Sequence, residues 1–491
     1  MGRPALNRQP NTLLAHWLVR SGLSNVGLAR AVAQLARAQG HRQVSPDESR
    51  VRRWLAGETP REPLPELIAS VLAERVGLPL TGPDLGFPGS RTIRVDRPDL
   101  PWNAAGTVEA IALLTRSELM LPHTRNGEDA TRIHHGEHLL TPLGLWISAK
   151  GTVTGQPHTG ARGRHIGMTE VNGLRELTRM FRDSDNRLGG MLSRKAVIAQ
   201  MADATAMLDN CAYTERVGRH LFAAVADLGS VAGWMSFDSG LHTSAQKVFI
   251  AALHAASEGE DQALGAHILQ CMARQMSHLG HIDDALDLVH LAQYGARRQA
   301  SPATISMLAA LEARFHALLG AFDESERAAG RAEEAFTRIN PAEEPTHMEF
   351  FDLAELCSTL GVVHQISAKG DTSTRRSDRA EKSLSLLNQA LAERPAHRVR
   401  SQAFDHLGLA RTHLVVGELA GARQESAAAV KLFGAVNSTR VADRLIELHD
   451  EAGPFSASSE TNELREEIRQ AVSPTSYAKC EAPRREQAHR H

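Results

Sequence analysis

The chain has 491 residues, too many for one domain, and its 55 Lys and Arg against 57 Asp and Glu leave a net charge of −2, which excludes a polybasic nucleic-acid coat or an acidic tail as a description of the whole. An apolar content of 42 % is enough for sizeable cores, and 4 % aromatics alongside abundant Ala, Leu, Arg and Glu favour helices over sheets. Cys211, Cys271, Cys357 and Cys480 are too widely spaced for a zinc knuckle, a CxxC pair or a secreted disulfide framework, and no apolar run approaches the ~18 residues of a membrane span, so a soluble, cytoplasmic protein with no membrane contact is expected.

Residues 1–61 carry ten arginines against three acids, a local net of +7 that leaves −9 for the rest. A basic head on an acidic body points to a polyanionic partner for the head. Two helix patterns, Asn11–Ser21 and Ser24–Ala38, meet at Gly22, with Ser24 as N-cap and Leu28, Val32 and Leu35 as the buried stripe. A third helix is predicted from Ser45, with Pro46 in its first position and Glu48 closing a capping box. It turns Val51, Trp54 and Leu55 inward and ends at Gly57; a fourth covers Leu64–Val76. Four short helices with the third reading Ser-Pro-Asp-Glu-Ser-Arg-Val-Arg-Arg-Trp-Leu-Ala-Gly resemble the helix-turn-helix fold of phage-repressor-type regulators. The resemblance implies that Val51 and Trp54 are core and that Ser49, Arg50, Arg52 and Arg53 face duplex DNA, with base contacts from Ser49, Arg50 and Arg53. It departs from that pattern in a longer second helix and in the six residues 40–45 that precede the third.

The head is placed at residues 1–87, followed by a connecting segment, 88–167. Within that segment a helix is predicted at Ala104–Arg116, alternation in Leu139–Ser148 reads as a short strand, and the glycines of 151–167 read as a mobile linker and hinge. His134-His135-Gly136-Glu137-His138 has a superficial metal-binding look, but its interruption by glycine and the lack of nearby cysteine favour a solvated loop. No cofactor loop, metal set or nucleophile–base pair is apparent, so no enzyme activity is expected. Residues 473–491 are expected to be a disordered tail.

Residues 168–472 read as helical throughout. A glycine, a small residue five later and an alanine seven further on recur as Gly240–Ala245–Ala252, Gly280–Ala285–Ala292, Gly320–Ser325–Ala332 and Gly417–Ala422–Ala429; Ser383 and Ala390 follow Gly370 after an insertion. The glycine suits a left-handed helix end, and the two small residues permit close helix packing. These units resemble degenerate tetratricopeptide repeats with a 40-residue period, which implies an all-α solenoid whose concave face, lined by the first helix of each pair, binds a peptide, a small molecule or a protein. Trp234, in Gly233-Trp234-Met235-Ser236-Phe237-Asp238, and Arg274, Gln275 and His278 are the candidate effector contacts.

From Pro10-Asn11-Thr12 through Gly27-Leu28-Ala29-Arg30, Val51-x-Arg53-Trp54, Phe181-Arg182-x-x-Asp185, Gly233-Trp234-Met235 and Leu279-Gly280-His281, the chain is similar to actinobacterial, Streptomyces-type regulators of differentiation and antibiotic production. That resemblance implies a DNA-binding transcription regulator, often a repressor; the solenoid is then expected to sense an effector and to form a homodimer. The competing expectation is a protein-interaction scaffold that does not read DNA.

Overall fold

The computed structural model describes residues 10–38, 41, 43–61, 63–76, 80, 82, 85–87, 98–120, 133–155, 164–188, 193–436 and 438–472. Arg3, Arg8 and Arg42 of the basic head, Gly189-Gly190, the linker centre 156–163 and the tail with Cys480 lie outside the described residues. The chain divides into two compact units, Met1–Thr92 and Ile93–His491.

The first unit contains α1 (Thr12–Arg20), α2 (Asn25–Ala38), α3 (Glu48–Leu55) and α4 (Leu64–Val76). Asn11 caps α1 by accepting from the Leu14 amide at 2.9 Å, and Ser24 accepts from the Gly27 amide at 3.1 Å at the start of α2. The third helix starts later than its sequence suggests. Asp47, not Ser45, is the cap, and Pro46 is buried ahead of it. An aspartate carboxylate is a strong N-cap acceptor, and Glu48, instead of closing a capping box, reaches forward to Arg52. Leu14, Leu28, Val32, Val51, Trp54, Ile68 and Leu72 share one core. Gly86, at φ +72°, lies where a Cβ would be 2.5 Å from the Asn11 side-chain oxygen, so the 85–87 turn closes directly over the α1 cap.

The second unit is all-helical among its described residues; its single β-bridge joins His165 to Ala212. It comprises α5 (Ala104–Met120), α6 (Glu137–Gly144), α7 (Met168–Leu188), α8 (Arg194–Asn210), α9 (Glu215–Asp238), α10 (His242–Glu258), α11 (Gln262–His278), α12 (Ile282–Ala296), α13 (Pro302–Leu318), α14 (Phe322–Phe336), α15 (Leu353–Gly370), α16 (Arg375–Glu393), α17 (Val399–Val416), α18 (Leu419–Phe433), α19 (Thr439–Glu451) and α20 (Ser459–Ala471). Consecutive helices from α9 to α18 pack as antiparallel pairs in a solenoid. The small-residue rule accounts for this pairing. Gly240, Gly280, Gly320 and Gly417 all have φ between +75° and +89°, and Ala245, Ala252, Ala285, Ala292, Ala332, Ala422 and Ala429 are fully buried. The α15–α16 pair departs from the rule at its turn: α15 ends without a positive-φ glycine, and Gly370 instead makes room for the Phe322 ring, 2.9 Å from where its Cβ would lie.

The segment expected to connect head and solenoid is part of the solenoid's own core. Leu139–Ser148 is not a strand: Leu139 and Leu143, four residues apart, are the buried face of α6, and Leu145–Ile147 adds a 3-10 turn. That turn buries Trp146 against Gly265 of α11 and Gly295 of α12, where a Cβ would sit 2.5 and 2.1 Å from the indole. The flanks of the glycine segment are likewise fixed. Thr152 donates from its amide to Glu258 at 2.7 Å, Val153 is buried, and Arg164 and Ile166 pair with Ala212. A buried Arg194–Glu118 ion pair, with Ser236 and Ser244 as further partners, joins α5 to α8, α9 and α10. Glycines here permit close approach, which from sequence alone resembles a hinge.

Candidate functional site

Two places concentrate chemistry, one in each unit. On α3 the spacing separates faces cleanly: Val51 and Trp54 are 0 % and 2 % exposed, while Ser49, Arg50, Arg52 and Arg53 point outward. Arg52 donates to Glu48 at 2.6 Å in a solvent-exposed pair. Arg50 and Arg53 make no ion pair among the described residues, so their guanidinium groups remain available.

The second place is a cavity of about 220 Å³ inside the solenoid. It is lined from the first helices of the pairs, α9, α11, α13, α15 and α17, together with α7 and α19. It forms because the array turns back on itself. Asp238, at the end of α9, accepts from Arg400 of α17 at 2.9 Å and from Ser438 ahead of α19 at 2.9 Å, with Arg440 at 3.5 Å. Asp185 of α7 also takes Arg400, at 2.8 Å. His278 of α11 donates from Nε2 to Asp443 of α19 at 3.2 Å.

Three of the four expected effector residues line this cavity. Trp234 meets Phe237 edge to face at 5.6 Å and lies 4.7 Å from the Arg440 guanidinium, which also faces Phe237 and Phe404. Arg274 donates from Nε to Gln270 at 3.0 Å and stands 3.5 Å from Glu355, while its Nη2 is buried without a hydrogen-bond partner. Burial lowers the pKa of His278 more than the Asp443 hydrogen bond raises it. Gln275 does not line the cavity: it is fully buried and donates to the His242 carbonyl at 2.7 Å, joining α11 to α10.

Sequence reasoning missed the remaining cations. Arg182 of α7, Arg314 of α13, Arg394 and Arg398 before α17, Arg400 and Arg411 on α17, and Arg440 and Arg444 on α19 all border the cavity. The one legible signal was Arg400, Phe404, Leu407 and Arg411, which fall on one face of α17 at helical spacing. Most of these arginines are backed by carboxylates. Arg394 bridges Asp405 at 2.6 Å, and Arg411 and Arg444 converge on Glu447 at 2.7 and 2.6 Å. Burial opposes the charge on Glu447, and Arg444 and Arg411 overcome it, bringing its pKa down to about 2. Arg314 is different: it has no hydrogen bond or ion pair among the described residues. Burial, followed by repulsion from Arg444, Arg274, Arg411 and Arg440, depresses its pKa to about 9.

Two groups elsewhere bring potential metal ligands within 4.8 Å of one another: His135, His281 and Asp284, and His290, Glu312 and His316. Both carboxylates already have protein partners. Asp284 accepts from the Gly136 amide at 3.0 Å, and Glu312 takes Arg331 and Gln293 at 2.8 Å each.

Residues 14–88, spanning α1 to α4 and the turn that follows, match the family described as SP15 N-terminal domain. No curated protein and no solved structure shows a significant match to the chain. No helix among the described residues is long and apolar enough to cross a membrane.

Proposed function

We propose that this protein is a DNA-binding transcriptional regulator of repressor type, in which α3 enters the major groove and the solenoid cavity receives an effector. The observation that carries the reading is the outward face of α3. Ser49, Arg50, Arg52 and Arg53 are exposed on a helix anchored by Val51 and Trp54, in a region with a net charge of +7. Arginine forks match guanine edges and phosphate oxygens. A homodimer would present two such helices to half-sites about 34 Å apart or a multiple of that spacing. The effector acts through whatever difference in affinity it has for the DNA-competent and incompetent arrangements.

An electrophoretic shift assay on genomic fragments, with the double variant R50A/R53A as control, tests the reading. Shifted fragments with the native chain, and markedly weaker shifts with the double variant, are expected. Absent or salt-insensitive DNA binding would leave a helical-repeat interaction scaffold as the better description, and equal shifts for both proteins would remove α3 as the reading helix.

A further inference from the structure

The cavity cations are not simply the inner halves of salt bridges. Carboxylates stand behind Arg394, Arg400, Arg411 and Arg444 and hold them in place, so their charge is largely matched within the protein. Arg314 has no such partner, and Arg274 has only Glu355 at 3.5 Å and leaves Nη2 unsatisfied. Two under-matched guanidinium groups therefore line the same partly desolvated cavity as Arg444 and Arg440, both of which repel the Arg314 charge. Like charges do not collect in this way at low dielectric without cost, and a single carboxylate would answer only one of them. Phe315, Phe350, Phe404 and Leu407 supply apolar wall beside the cations.

We propose that the cavity binds a phosphoryl dianion, either inorganic phosphate or a small organic phosphate ester, through Arg274, Arg314 and Arg444. Guanidinium forks pair with phosphate oxygens through parallel charge-assisted hydrogen bonds, and a dianion with three acceptor oxygens engages several forks at once. In an ester, the organic part lies against the apolar wall. The proposal rests on the cavity being the effector site and is independent of whether α3 reads DNA.

The test is calorimetric titration of the full chain and of R314Q with inorganic phosphate, phenyl phosphate, phenol, succinate and an aspartate-rich hexapeptide, with the melting temperature of each unliganded protein recorded. Either phosphate-bearing probe is expected to bind the native chain and to bind R314Q about tenfold or more weakly, the loss of one charge-assisted contact. Tighter binding of phenyl phosphate than of inorganic phosphate assigns the site to an ester, and the reverse assigns it to the free ion. R314Q is expected to melt higher than the native chain when unliganded, because it removes an unpaired, repelled cation. The proposal is overturned if neither phosphate binds, if R314Q binds them as well as the native chain, if succinate or the peptide binds more tightly, or if unliganded R314Q melts lower.

Discussion

Asp238 shows how much one side chain can organise. It is fully buried at the end of α9 and receives Arg400 at 2.9 Å, Ser438 at 2.9 Å and Arg440 at 3.5 Å. It thus brings α17 and α19 to α9 across more than 160 positions of sequence. Burial works against the Arg400 charge, and Asp185 and Asp238 overcome it, leaving its pKa above the ordinary arginine value. Removing one partner of such a network leaves a buried charge uncompensated, so Asp238→Ala is expected to lose about 3–5 kcal/mol in urea unfolding; a loss under about 1 kcal/mol, the scale of a surface pair, would contradict that role. Buried histidines add a pH dependence. Burial lowers the pKa of His242 to about 4, of His254 to about 3 and of His364 to about 4. The unfolded chain takes these protons near pH ~6.5, so between that pH and about 4 it binds more protons than the folded chain, and stability falls on acidification. Each histidine contributes roughly 1.4 kcal/mol per pH unit where the two states differ fully. A melting temperature that falls from pH 7 to pH 4.5 is expected, and a flat profile would contradict the burial of these rings.

At the scale of helices, the recurring glycines were the most legible feature, because a left-handed helix end places a local demand that one residue type meets best. Gly417 has φ +80° with nothing within 4 Å of an added Cβ. Gly417→Ala should therefore cost only the backbone penalty, about 1–2 kcal/mol. Glu260 performs the same turn between α10 and α11 at φ +55° without being glycine. Glu260→Gly is accordingly expected to raise the denaturation midpoint despite loss of its exposed 3.4 Å pairing with Arg219. A lower midpoint for Glu260→Gly, or an unchanged one for Gly417→Ala, would count against this account of the turns. The start of α3 and the nature of the 139–148 segment were less legible. Ser45 and Asp47 both fit a cap, and period-two and period-four apolar spacing overlap in a stretch as short as Leu139–Leu143.

Across the whole molecule, the concave lining was partly readable because Trp234, Arg274 and His278 lie on first helices of repeat pairs. The full cation set was not, since Arg314, Arg400 and Arg440 meet only after the array turns back, a long-range closure that no local pattern encodes. The same limit explains why residues 88–167 read as a connector: the glycines that receive Trp146 are more than a hundred positions away. The outward face of α3, by contrast, is a local property, and the exposure of Ser49, Arg50, Arg52 and Arg53 agrees with the period of the helix. The central claim, that this face engages duplex DNA, is tested most directly by fluorescence anisotropy of a labelled genomic fragment between about 50 and 200 mM salt, the range in which phosphate contacts reveal themselves through counterion release. The account predicts an affinity for the native chain that falls steeply with salt, and for R50A/R53A a weaker affinity with a shallower slope. A flat response, or two superimposable titrations, would contradict it.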